Sequence, residues 1–349
     1  MRVGVVGTTG AVGREMLRIL EERSFPVDEL IPLASERSAG TRVRFQGQDH
    51  AVRVLSIDAL RGVDVALSSC GGAVAKEWIP QAAEAGTVCI DNSSAFRMEP
   101  QVALTIPEVN PESLEARPRI IAVPNCTIIT ALMAVAPLHR AAGLRSLILS
   151  SYQSVSGAGH RGVTELAEQI EKLHGMEDDL AHPDPSALPV GEVFGKTIAY
   201  NVVPRIDAFD PETGFTFEEI KIQREARKIL SLPELDVAAT AVRVPVPVGH
   251  SVSIHATFSR PIGPGEARDL LSEAPGVEVR DDPANGVYPS PLEAAGRDEV
   301  LVGRIRQSPD RPEALLLFSC GDNLRKGAAL NAVQIAERLL APAGDGLAC

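Results

Sequence analysis

Arg2-Val3-Gly4-Val5-Val6-Gly7-Thr8-Thr9-Gly10-Ala11-Val12-Gly13 is an apolar run that breaks into spaced glycines and then into a helical pattern. Arg2–Val6 reads as a short buried strand, and the residues from about Ala11 to Arg23 as a helix. Glycines at 7, 10 and 13 let the backbone turn tightly and bring a helix N-terminus close to a pyrophosphate. The spacing is G-x-x-G-x-x-G rather than G-x-G-x-x-G, so the strand–turn–helix setting carries much of the reading. A purely structural glycine turn is the rival.

Outward from this motif the pattern repeats. Strands are expected at Glu29–Ala34, Arg53–Ser56, Val63–Leu67, Thr87–Asp91 and Arg119–Val123, with helical stretches such as Val74–Ala85 between some of them. Parallel strands need such crossovers, so the first half reads as an α/β, Rossmann-type doubly wound parallel sheet. After about residue 140 the texture changes to longer strands of a mixed sheet, at Ser146–Val155, Glu219–Ile222, Val237–Val244 and Ser251–Phe258. A helix from about Val163 to Leu173 leads into a proline-rich surface loop, Ala181–Pro189. The last helix, about Leu324 to Leu340, has one apolar face suited to packing back on the first domain. The expected division is a cofactor-binding domain, 1–125 with 323–349, and an α+β catalytic and dimerisation domain with a mixed sheet, 126–322. The tail after Pro342 is expected to fray.

Composition narrows the function classes. The 349 residues are 44% hydrophobic and carry a formal charge of −12, which disfavours nucleic acid or an anionic membrane as main partner. Cysteines at 70, 89, 126, 320 and 349 form no zinc-type spacing and suit a reducing cytoplasm rather than a disulfide framework, and no metal site is expected. Strand residues from Val3 leave no room for a signal peptide. The uncharged stretch Ile120–Leu138 is broken by Pro124, Asn125 and Pro137, so it reads as a buried strand–turn–helix rather than a membrane span.

Three local patterns carry chemistry. Ser35-Glu36-Arg37-Ser38 falls where a dinucleotide's ribose is read; Arg and hydroxyls suit a 2′-phosphate, whereas Glu36 would suit the free ribose of NAD. Pro124-Asn125-Cys126-Thr127 puts a thiol in the first turn of a helix, where the dipole favours thiolate. A buried core thiol is an equal reading there. Cys70 and Cys89 read as small buried residues, and Cys349 as idle. His250, behind Val244-Pro-Val-Pro-Val-Gly249, is either a general acid/base with a pKa near working pH or a solvated turn histidine. His139, His174 and His182 read as surface residues.

Taken together, Gly7-Thr-Thr-Gly-Ala-Val-Gly13, Ser93-Ser-Ala-Phe-Arg97, Pro124-Asn-Cys-Thr127 and Tyr152-Gln-Ser-Val-Ser-Gly-Ala-Gly159 resemble the bacterial aspartate-semialdehyde dehydrogenases. So do Glu218-Glu-Ile-Lys-Ile222, Arg243-Val-Pro-Val246, Gly249-His-Ser251 and Asp322-Asn-Leu-Arg-Lys-Gly-Ala328, and the resemblance spans nearly the whole chain. It implies reversible, NADPH-dependent reduction of L-aspartyl-4-phosphate to L-aspartate-4-semialdehyde, serving lysine/diaminopimelate, methionine, threonine and isoleucine biosynthesis. Cys126 would be the acyl-thioester nucleophile, His250 the acid/base, and Gln153 and Asn125 would orient the reacting group. Arg243 would bind the substrate carboxylate, Glu218 its amino group, and Arg97 and Lys221 the phosphate. Gly7, Thr9, Gly10, Ala11, Val12, Gly13, Ser35, Arg37, Ser38, Ser156, Gly157 and Asn323 would contact NADP. A homodimer or homotetramer is implied. Other readings are a related acyl-phosphate reductase, such as N-acetyl-glutamyl-phosphate reductase, and a non-catalytic NADP-binding relative. Cysteine at 70 and Ser319-Cys320 depart from the family's pattern away from the nucleophile.

Overall fold

The computed structural model describes residues 1–340; Cys349 and the tail after Pro342 lie outside them. Its first layer is built from β1 (Arg2–Val6), β2 (Glu29–Ala34), β5 (Arg53–Val54), β6 (Val65–Ser68), β7 (Val88–Asp91), β8 (Ala103–Leu104) and β9 (Ile120–Ala122). These seven strands are paired in parallel in the order β5-β2-β1-β6-β7-β9-β8. Between β2 and β5 runs a hairpin, β3 (Arg42–Phe45) with β4 (Gln48–Ala51), that the sequence reading did not contain.

Alternation along the strands explains how both faces are covered. Val3, Val5, Val65, Leu67 and Ile90 pack into one apolar core, while Val6, Ile31, Leu33, Ala66 and Cys89 pack into another. Helix α1 (Ala11–Glu22) closes the first face. The short α2 (Ile57–Leu60) and α3 (Gly72–Glu84), with Trp78 and Ile79, close the second. Gly13 is where α1 crosses the glycine turn: a Cβ there would lie 2.2 Å from the Gly7 carbonyl oxygen, so only glycine lets the helix start against that turn.

The second layer is a six-stranded mixed sheet, β11-β10-β12-β15-β14-β13. It comprises β10 (Leu144–Gln153), β11 (Asp236–Arg243), β12 (His250–Phe258), β13 (Val277–Val279), β14 (Val300–Ser308) and β15 (Arg311–Gly321). Helix α4 (Cys126–Ala142) is buried almost all round and packs on this sheet. No helix among the described residues is long and apolar enough to cross a membrane. Helices α5 (His160–Leu173), α6 (Phe217–Ile229), α7 (Pro264–Ser272) and α8 (Pro291–Ala294) complete this part. The final α9 (Leu330–Leu340) returns to the first sheet behind a wider turn, Arg325–Ala329, so the expected helix from Leu324 is not regular at its start.

Glu219–Ile222 is not a strand. Glu-Ile-Lys-Ile alternates, but a stronger local signal surrounds it. Thr216 Oγ1 accepts from Glu219 N at 3.3 Å, and Glu219 Oε2 accepts from Thr216 N at 2.7 Å, a reciprocal cap that starts α6. Glu219 Oε1 also accepts from Ala241 N at 2.8 Å, docking the helix on β11. Nor is His139 a solvated surface residue: it is half-buried, and its Nδ1 accepts from Leu144 N at 2.9 Å.

Thr216→Ala is expected to destabilise the protein by about 1–2 kcal/mol through loss of this cap. A urea denaturation curve with an unshifted midpoint would refute the assignment.

Candidate active site

β9 hands the chain to α4 through Val123-Pro124-Asn125, and that junction fixes the position of Cys126. Asn125 Oδ1 accepts from Thr127 N at 2.8 Å and Ile128 N at 3.4 Å, capping the helix. Its Nδ2 donates to Glu218 Oε1 at 2.8 Å, and Gln153 Nε2 reaches the same oxygen at 3.2 Å. One carboxylate of α6 therefore orients both amides. Gln153 and Arg243 end the parallel strands β10 and β11 as register partners, so both arrive at one edge of the sheet.

Arg97 is buried and uses three donors. Nε binds the Val123 carbonyl at 2.9 Å, Nη2 the Asn92 carbonyl at 2.8 Å, and Nη1 Glu225 Oε1 at 3.0 Å. Glu225 Oε2 accepts from Asn125 N at 2.6 Å. Lys221 Nζ donates to Asp207 at 2.7 Å and lies 3.8 Å from Glu218 Oε2. Arg243 Nη1 donates to the Ser154 carbonyl at 2.7 Å. Together Arg97, Lys221, Arg243, Glu218, Gln153, Asn125 and Cys126 line one cleft of about 330 Å³. Three cations facing one lining carboxylate make it an anion site in a chain of net charge −12.

His250 is the first residue of β12 and fully buried, not a solvated turn residue. Ser154 N donates to its Nδ1 at 3.2 Å, which places the proton of the neutral ring on Nε2. Nε2 has no hydrogen-bond partner among the described residues. The ring does not itself line the cleft, but Gly157, which does, lies directly against it: a Cβ there would come within 3.3 Å of Nε2 and 2.7 Å of Arg243 Nη1. Burial, and then Arg243, push the imidazole pKa well below its usual value rather than leaving it near working pH. The Cys126 thiol also departs from expectation. Burial and then Glu218 push it up to about 11, against Arg97 and Arg243, which pull it down. Desolvation outweighs the two arginines and the Thr127 N–H that favour the thiolate.

Thr9, Arg37 and Ser38 line a second groove of about 540 Å³, with Thr9 Oγ1 donating to Ser38 Oγ at 3.3 Å. Arg14 and Arg18 from α1 and Arg42 and Arg44 from the hairpin add to its cationic wall. A third groove contains Ala11, shares Arg14 and Arg18 with the second, and shares Ser156 and Leu324 with the cleft. Through these shared residues the three adjoin, forming a trough beside α1. Val12, Ser156, Gly157 and Asn323 line its Cys126 end. Gly7 and Gly10 form the turn under it, with Gly10 N donating to the Gly7 carbonyl at 2.9 Å. Ser35 is exposed and lies outside the lining of the groove. Cys70 lines the cleft half-buried, rather than sitting in a core. No group of His, Cys, Asp or Glu among the described residues could hold a metal ion.

The sequence reading missed Glu225 and Lys228. Lys228 Nζ holds the carbonyls of Arg97, Glu99 and Val102 at 2.7, 2.8 and 2.9 Å. The signal was present: Glu218, Lys221, Glu225 and Lys228 follow helical spacing along one face. A strand assignment at 219–222 concealed it.

Residues 2–117 match the family described as semialdehyde dehydrogenase, NAD binding domain, and residues 135–326 match semialdehyde dehydrogenase, dimerisation domain. The chain is 46% identical over 342 residues to aspartate-semialdehyde dehydrogenase of Aquifex aeolicus, covering 97% of this chain and 98% of that one. A crystal structure of aspartate semialdehyde dehydrogenase II from Vibrio cholerae superposes with a TM-score of 0.90 at 42% identity, covering 97% and 98% of the two chains. A structure of that enzyme complexed with ASA gives 0.88 at 42% identity, with the same coverage.

In the ligand-free protein, iodoacetamide should modify Cys126 about tenfold faster for each pH unit between 7 and 9, without a plateau, because the thiol titrates at about 11. Glu218→Gln should raise the rate at a given pH. Peptide mapping that found a plateau near neutrality would overturn this.

Proposed function

The chain belongs to the aspartate-semialdehyde dehydrogenase family, and from that premise we propose that it reduces L-aspartyl-4-phosphate to L-aspartate-4-semialdehyde, reversibly, with NADPH and through a thioester on Cys126. It is an oxidoreductase with a nicotinamide-cofactor domain. The observation that carries the finer reading is the meeting, in one cleft, of a helix-start thiol, three cations and a carboxylate that orients two amides.

The charges suit an amino acid carrying an acyl phosphate. Arg243 pairs with the α-carboxylate, Glu218 with the ammonium group, and Arg97 and Lys221 with the phosphate. An anion seated on Arg97 and Lys221 excludes water and presents its acyl carbon to Cys126. The Cys126 sulfur attacks that carbon, the bond to phosphate breaks, the thiol proton leaves on the phosphate, and the two cations take the remaining charge of that leaving group. The nicotinamide, when bound, supplies the hydride that reduces the thioester. The Cys126 N–H is not taken by the Asn125 cap, and it supports the resulting oxyanion. Collapse breaks the carbon–sulfur bond and returns the thiolate. His250 reprotonates that thiolate from Nε2 as its Nδ1 takes a proton from the Ser154 hydroxyl 3.1 Å away, which solvent replaces.

NADP is favoured over NAD because Arg37 and Ser38 line the cationic groove while Glu36 does not. A second copy of the chain covers the outer face of the mixed sheet, where Ile148 is 50% and Tyr152 37% exposed. The cytoplasm, a reducing compartment, fits the free thiols at 70, 89, 126 and 320. The product aldehyde serves lysine/diaminopimelate, methionine, threonine and isoleucine synthesis.

The test is phosphate-dependent NADP reduction with L-aspartate-4-semialdehyde. Cys126→Ala is expected to lose about 10³-fold or more in turnover. Arg37→Ala should raise the KM for NADP about tenfold and leave that for NAD little changed. Well-folded wild-type protein that fails to turn over would sink the substrate assignment. Turnover surviving in Cys126→Ala would overturn the thioester.

A further inference from the structure

After β15 the chain does not enter α9 directly. Asp322 Oδ1 accepts from Leu324 N at 2.8 Å and Arg325 N at 3.0 Å, and its Oδ2 accepts from Gly296 N at 2.7 Å. Gly327 N then reaches the Asp322 carbonyl at 2.9 Å and Ala329 N the Leu324 carbonyl at 3.0 Å, both five residues back instead of four. This is a π-turn, a widened turn that costs hydrogen-bond quality and often marks a functional site. It pushes Gly327 against the start of α4. A Cβ at 327 would lie 3.0 Å from Cys126 Cβ and 3.5 Å from Cys126 Cα. Gly327 has no left-handed φ, so what the position requires is space, not backbone freedom.

The neighbouring residue holds the turn in place. Lys326 is 1% exposed, and its ammonium has three acceptors: Glu108 Oε2 at 2.5 Å, Gln334 Oε1 at 2.7 Å and Asn331 Oδ1 at 3.1 Å. Every donor of the group is satisfied. Glu108 is tied in turn by Gln334 Nε2 at 2.9 Å, and Asn331 Nδ2 binds the Thr105 carbonyl at 2.9 Å. Burying a lysine is expensive unless its geometry is complete, and here the completed geometry is spent on one widened turn beside the thiol.

We propose that the π-turn 325–329 is a positioning device for the Cys126 sulfur, in which Lys326 pins the turn and Gly327 is the contact that sets where Cys126 lies. Neither residue reacts; both are positioning residues, and the proposal rests on the reading of Cys126 as nucleophile. A methyl at 327 forces Cys126 away by a few tenths of an ångström, which at a reacting centre is worth about tenfold in rate.

The experiment compares Gly327→Ala, Lys326→Met/Glu108→Gln and Cys126→Ala with wild type in the full-length protein. Measured quantities are kcat, KM for L-aspartate-4-semialdehyde, Kd for NADP and Tm. Gly327→Ala should lose about tenfold in kcat, with KM and Kd within about threefold, and it should stay folded at the assay temperature, because alanine's helical preference offsets part of the cost of the tight contact. The double variant removes both charges while keeping the volume and the amide partners. It should fold and also lose kcat. Wild-type kcat in Gly327→Ala overturns the proposal. So does a loss that follows an equal rise in Kd for NADP, which would mean the methyl blocks the cofactor, or a loss explained by protein that is not folded at the assay temperature. Wild-type kcat in a folded double variant overturns the part of Lys326, and if that variant does not fold Gly327→Ala decides alone. Activity in Cys126→Ala is a separate failure, of the nucleophile itself.

Discussion

Glu225 has almost no access to water, and both of its oxygens hold parts of the cleft: Arg97 through Oε1 and the Asn125 N–H through Oε2. Burial pushes its pKa up, while Arg97 and the Asn125 N–H pull it down. The carboxylate is therefore tolerable only while both partners stay in place. Arg97 and the cap that carries the thiol are fixed to one rigid side chain on α6. Two turns earlier on the same helix, Glu218 does the equivalent for Asn125 and Gln153. Lys228, one turn later, holds the backbone of Arg97 itself. The cleft is held open along a single helix face.

The same arrangement explains why the Cys126 thiol holds its proton. Desolvation and Glu218 both disfavour the thiolate, and two arginines do not offset them.

The two sheets meet through charge as well as through apolar packing. Arg325 donates to Glu15 at 2.9 Å, Glu22 at 2.7 Å and Asp298 at 2.5 Å, joining α1 to the segment after α8. Those bonds, stronger than the cost of partial burial, hold its guanidinium charged above even the usual arginine range. Next to it Lys326 joins the returning helix to Glu108, in the loop after β8. One dipeptide thus fixes the relation between the trough along α1 and the start of α4.

What the sequence by itself determined was local. A glycine turn between a strand and a helix, a cysteine behind Pro-Asn, and apolar alternation depend on spacings of a few residues, so the parallel sheet and the candidate nucleophile were legible. The resemblance supplied Arg97, Gln153, Glu218, Lys221 and Arg243, and all of them line the cleft. Only the tertiary structure decided the protonation of Cys126 and His250, because desolvation depends on which chains close over a group and not on its neighbours in sequence. The helix over Glu219–Ile222 was legible too, in the local Thr216-x-x-Glu219 cap that outweighs four alternating residues; the structure added the bond to Ala241. It also placed Glu225 and Lys326, whose partners lie 100 and 218 residues away for Asn125 and Glu108. A buried charge is specified by partners remote along the chain, and no local pattern encodes them.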